Sequence, residues 1–182
     1  MTKKISNHKN EFSSYHVGVA AEAIAAGQFA RLGYNVSVQY GANQPEYDLV
    51  ISIEDMLVKV SVKGSNDGGW GLTQGFLKEA NLQNPKLTPN HHGAIKMWLD
   101  KHGSKTIFCF VQFLDKKISE MPTIYLASPK EVAEQLRKAR KGIGDTVLRN
   151  HTWSKNSVGY GTSEKIPDNW IFSEKRMKEL IK

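Results

Sequence analysis

The chain opens polar and turns apolar at residue 17. From there to residue 32 only Glu22, Gln28 and Arg31 are neither apolar nor glycine. Ser13 or Ser14 can cap this stretch and Gly33 can stop it, so the pattern predicts a first helix to about Leu32, with apolar company on nearly every face. Three short β-type runs follow, at residues 34–40, 47–53 and 56–63, divided by Gly41-Ala42-Asn43-Gln44-Pro45 and by the acidic turn Glu54-Asp55. They suggest a meander or hairpin. Residues 64–75 hold five glycines with Asn66, Asp67 and Trp70, a composition that predicts a mobile loop starting where the third strand ends.

A modest helical pattern spans residues 90–101, and two apolar strands follow at 106–113 and 123–127. Ser128-Pro129-Lys130-Glu131 has the form of a capping box with proline at the first helical position, and Val132, Ala133, Leu136 and Ala139 continue it at helical spacing. Beyond Gly142 the signal fades into polar sequence carrying His151, Trp153, Tyr160 and Trp170, until a short helix at about 174–181. No internal repeat or long linker divides the chain, so a single domain over residues 1–182 is expected, with residues 1–12 as a polar arm.

Composition narrows the class. Hydrophobic residues make up 40% and charged residues 24%, which suits a folded globule. Lys and Arg outnumber Asp and Glu by 25 to 18, which favours a polyanion such as nucleic acid as partner. The single cysteine, Cys109, lies inside an apolar run, which excludes an internal disulfide and argues against a thiolate nucleophile. Neither a secretory leader nor a membrane span is expected, since the longest apolar stretch is short and contains Glu22 and Arg31. A cytoplasmic setting fits.

The candidate chemistry lies in the order helix with Glu22, strand with Asp48, strand with Lys63. Alternation along the third strand sends Val58, Val60 and Val62 to one face and Lys59, Ser61 and Lys63 to the other. Carboxylates that hold a divalent cation beside a fixed lysine suit phosphodiester hydrolysis, which needs an activated water and neutralised phosphoryl oxygens.

Glu22, then Pro45-Glu46-Tyr47-Asp48-Leu49-Val50, then Val60-Ser61-Val62-Lys63-Gly64 resembles the core of the PD-(D/E)XK nuclease superfamily over about a third of the chain, roughly residues 14–65. The resemblance implies a restriction-endonuclease-like α/β/α sandwich around a mixed central sheet. It also implies a nuclease that uses Mg²⁺ or Mn²⁺ to cleave nucleic acid, most readily DNA, and leaves a homodimer open. By matching position Asp48 and Glu22 are the metal ligands and Lys63 orients or activates water. Residue 61 departs from the pattern: serine stands where the family has Asp or Glu, which removes one negative charge from the metal site.

Other readings stand beside these. Glu22 could pair with Arg31, Asp48 could end the Gln44-Pro45 turn, and Lys63 and Lys59 could be surface lysines. Lys59, with the basic group Arg137, Lys138, Arg140 and Lys141, could instead grip phosphates, with Trp70 or Trp153 stacking on bases, although a solvated helix face and core tryptophans account for the same residues. His91, His92 and His102 lack zinc-site spacing and read as surface-loop residues. The rivals to an enzyme are an inactive nuclease-fold protein that binds nucleic acid and an interaction module that uses the glycine-rich segment and the tryptophan-bearing tail.

Overall fold

The computed structural model describes residues 13–39, 46–103, 106–155, 157 and 159–182. The polar arm and the whole of the expected turn from Gly41 to Pro45 lie outside these residues.

Helix α1 (Ser14–Arg31) starts at Ser13, whose Oγ accepts from the His16 amide, and it ends before Gly33 in the left-handed region at φ 88°. Its buried residues are Val17, Ala21, Ala25 and Phe29, one stripe at four-residue spacing. Tyr15 and Val19 remain exposed, so the helix is not buried all round; it lies on one face of a sheet, and its alanines are small enough to face water at little cost.

That sheet is built from β1 (Asn35–Val38), β2 (Leu49–Ile53), β3 (Met56–Ser65), β5 (Thr106–Gln112) and β6 (Thr123–Ala127), in the order β1-β2-β3-β5-β6. The first three form an antiparallel meander, β3 and β5 run parallel, and β5 and β6 are antiparallel, so the sheet is mixed. Leu49, Ile51, Val58, Val60, Val62, Ile107, Cys109 and Val111 face α1 together with Met177 of α5 (Glu174–Leu180). The opposite face carries Phe108, Phe110, Tyr125 and Ala127. It packs on α3 (His91–Asp100) and α4 (Pro129–Gly142) through Ile95, Trp98, Val132 and Leu136. The result is a mixed α/β fold in which helices cover a five-stranded sheet on both faces.

The glycine-rich segment is structured, against the loop expectation. Strand β3 continues through Gly64 to Ser65, a short β4 (Gly69–Gly71) follows, and α2 (Gln74–Gln83) begins three residues later. Trp70 organises this stretch. It is 3% exposed, packs against Phe110 and Tyr125, and its indole N–H donates to the Lys63 carbonyl at 2.8 Å. Strand β4 pairs with β7 (Val147–Arg149), and a second ribbon joins β8 (His151–Thr152) to β9 (Ser163–Glu164), three strands that the polar tail does not announce.

Helix α4 has the expected capping box, with the Ser128 amide donating to Glu131 at 2.7 Å, but helical geometry stops at Ala139. Arg140 and Lys141 adopt φ of 52° and 59°, strained for side chains with a Cβ. What holds Arg140 there is a dense set of partners: its guanidinium donates to the Gly144 carbonyl at 2.6 Å and meets His91 Nε2 at 2.6 Å, while its amide donates to Glu164. Among the described residues no helix is long and apolar enough to cross a membrane.

Candidate functional site

Asp48 sits just ahead of β2, its amide donating to the Val60 carbonyl at 2.9 Å and its carbonyl accepting from Gln39, so its backbone is clamped between β1 and β3. Its carboxylate is nearly buried. Oδ2 accepts the Val62 amide at 2.6 Å and lies 3.5 Å from the Ser61 Oγ. The pairing of Leu49 with Val60 brings Lys63 to the same end of the sheet, with Nζ 3.9 Å from Asp48 Oδ2. The Lys63 side chain keeps 43% of its surface exposed, which leaves the ammonium open to a ligand while its carbonyl is tied to Trp70.

Glu22 reaches this end from α1. The approach depends on Gly64, where an added Cβ would lie 2.8 Å from Val17 and 2.9 Å from Ala21, so only glycine lets the helix settle so closely on β3. Burial, and after it the charge of Asp48, pushes the Glu22 carboxyl above the ordinary carboxylate range, while Lys63 pulls the other way. Arg31 does not neutralise Glu22; it donates to Gln28 at 3.1 Å. The two carboxylates and Lys63 therefore act on one another across the sheet end, and Ser61, 2% exposed, lies beneath Asp48.

The donor set consists of carboxylate and hydroxyl oxygens, the chemistry a hard dication prefers, and Mg²⁺ is commonly held by one or two protein carboxylates with water completing its shell. A cation there would offset the Asp48 charge, which after burial is the second cause that raises Glu22, and the oxygen donors present fit such an ion. The set is lean: among the described residues no three His, Cys, Asp or Glu side chains group as a metal site, in keeping with serine at position 61.

A cavity of about 260 Å³ opens over Asp48, Ser61 and Lys63, and Glu46, Lys101 and His102 share its lining. His102 is no surface-loop residue. Its side chain is 10% exposed, wedged between the rings of Trp98 and Phe108 at 4.6 and 4.9 Å, with Nδ1 3.9 Å from Glu46 Oε2. Burial lowers its pKa, which favours the neutral imidazole. The sequence gives no local sign that His102 belongs with Lys63, because only the pairing of β3 with β5 brings the two to one cavity.

The remaining candidates lie outside the cavity over Asp48 and Lys63. Lys59 is exposed with Nζ 5.0 Å from the Tyr47 ring centre. On α4, Lys138 and Lys141 are exposed and Arg137 is half-buried, whereas the Arg140 guanidinium is engaged within the fold. Trp70 belongs to the core, and Trp153 lies between Arg140 and Arg149, its indole donating to Glu164 at 2.5 Å. His91 is buried against Arg140, and His92 meets the Gly142 carbonyl, so neither shares a site with His102.

No family model and no curated protein matches the chain. Among solved structures, it is similar to a bacterial homing endonuclease at 15% identity, over 84% of this chain and 87% of that one, with a TM-score of 0.40. A likeness at that level speaks to neither site nor activity.

Proposed function

We propose that this chain is a metal-dependent nuclease of the PD-(D/E)XK type that hydrolyses phosphodiester bonds in nucleic acid, with DNA as the first substrate to test. The observation that carries the reading is the meeting of Asp48, just ahead of β2, with Lys63 of β3 at 3.9 Å, beside a Glu22 carboxyl raised by burial and by the Asp48 charge. These are the residues that the motif resemblance assigns to such a site.

In this account Asp48 and Glu22 hold Mg²⁺ or Mn²⁺, and Ser61 makes a weak or water-mediated contact. The cation, when bound, neutralises charge on the phosphoryl oxygens and makes water a better nucleophile. The chain's own residues supply position. Asp48 is fixed by the Val62 amide, so its second oxygen has a defined direction. Lys63 is held near Asp48 with its ammonium open to the cavity, where it can orient the attacking water and offset charge on a scissile phosphate. The excess of basic residues assists approach to a polyanion.

The neutral Ser61 favours one rival, a nuclease-fold protein that binds nucleic acid without cutting it. Calorimetric titration with Mg²⁺ and Mn²⁺ separates the two. The nuclease reading expects cation binding that Asp48→Asn and Glu22→Gln each abolish; nucleic-acid binding with no saturable cation site would favour the rival.

A further inference from the structure

The sheet face opposite α1 is covered unevenly. Helices α3 and α4 pack over Phe108, Phe110, Tyr125 and Ala127, but among the described residues no helix packs over the same face of β2 and the start of β3. There Val50 is half-buried, Leu57 is 64% exposed, and together with Tyr47, Lys59, Lys101 and His102 they border a cavity of about 560 Å³. This cavity shares Glu46, Lys101 and His102 with the smaller one over Asp48 and Lys63, so the two are ends of one cleft.

Its lining combines two chemistries. Val50, Leu57 and the Tyr47 ring make an apolar floor, and two lysines stand over aromatic rings along it: Lys59 Nζ is 5.0 Å from the centre of Tyr47, and Lys101 Nζ is 4.9 Å from that of Phe76. An apolar metabolite has no use for the two ammonium groups. A base inside a duplex has both faces covered by its neighbours and cannot reach the floor, whereas an unpaired nucleotide offers a flat face to the ring and a phosphate to the lysines.

We propose that this cleft receives an unpaired nucleotide of a single-stranded nucleic acid, its base taking the face of the Tyr47 ring over which the Lys59 ammonium stands, that ammonium turning to a phosphate, and its backbone running past Lys101 towards Asp48 and Lys63. The role of the adjoining phosphodiester rests on the hydrolytic reading above, but the nucleotide site can be measured without cleavage.

The test is fluorescence anisotropy on the full chain in EDTA, using a labelled single-stranded oligonucleotide and a blunt duplex of equal length. The single strand is expected to bind at least about tenfold more tightly than the duplex. Tyr47→Ala should weaken single-strand binding about tenfold, with little change for the duplex, and Tyr47→Phe, which keeps the ring, should stay near wild type. Unfolding curves for both variants separate a lost stacking surface from a lost fold. Equal affinity for duplex and single strand, or a folded Tyr47→Ala protein that binds like wild type, overturns the proposal. Single-strand binding that depends on Tyr47, without any metal-dependent cleavage, upholds the cleft and overturns only the hydrolytic reading.

Discussion

The Asp48 carboxylate is fastened to the Val62 amide at 2.6 Å, one residue from Lys63. A nearly buried N–H with no other role in the site thus sets the direction of the acid. Asp48→Ala leaves that N–H without its acceptor and should lower stability by about 1–3 kcal/mol. Asp48→Asn keeps an oxygen there and should lose less, although both variants remove the charge needed for a cation. Chemical denaturation compares them, and equal stability of Asp48→Ala and wild type would show that the bond holds nothing.

Gly64 couples the helix to the site. An added methyl group would lie 2.8 Å from Val17, so Gly64→Ala should push α1 away, lower stability by about 1–3 kcal/mol and displace Glu22. Gly75, at the start of α2 with open space around it, is the control: Gly75→Ala should be neutral or slightly stabilising. Thermal melts of the two variants check this contrast.

Position 61 tests the cation directly. Ser61 is 2% exposed and 3.5 Å from Asp48 Oδ2, so Ser61→Asp adds a second buried carboxylate beside the first. In EDTA this variant should melt below wild type, and Mg²⁺ should restore much of the difference. A melting temperature indifferent to Mg²⁺ in both proteins would count against the assigned ligands.

Far from the site, Arg176 is 5% exposed, donates to both Glu131 oxygens at 2.7 and 2.8 Å, and reaches the Leu126 carbonyl, tying α5 to α4 and β6. Arg176→Met should cost towards the lower end of about 3–5 kcal/mol, since Glu131 retains some solvent and its Ser128 bonds. Burial by itself would raise the Glu131 carboxyl, but the bonds from Arg176 and Ser128 outweigh it and hold the group below its ordinary value of 4.5. A depressed carboxylate lends stability that is complete above that value and fades as pH falls through the folded one. Denaturation midpoints should therefore drop more steeply on acidification in wild type than in Arg176→Met.

Much of this arrangement is legible in the sequence, for physical reasons that differ by element. Ser128-Pro129-Lys130-Glu131 announces α4 because a capping box acts locally, and alternation in β3 separates Val58, Val60 and Val62 from Ser61 and Lys63 because a strand has only two faces. The layering that the resemblance implies, helices on both faces of a mixed sheet, is the observed one. Alanine hides the orientation of α1, since Ala20 and Ala21 look alike in sequence though only Ala21 is fully buried. Glycine hides β4, where Trp70 is the buried side chain of the strand and pairing with β7 comes from far along the chain. His102 is silent because its acidic neighbour Glu46 arrives from a distant part of the chain, and the turn that folds Phe108 back onto it carries no marked pattern.

The central claim is that Lys63 and Asp48 serve phosphodiester hydrolysis, and the most direct measurement is cleavage of single- and double-stranded DNA and RNA in Mg²⁺, Mn²⁺ or EDTA by wild type and Lys63→Ala. The account predicts cleavage only with a divalent ion, reduced at least about a hundredfold in the variant, with the fold intact by circular dichroism. Cleavage that survives EDTA, or that is equal in the two proteins, would contradict it, as would no cleavage of any substrate by a folded wild type.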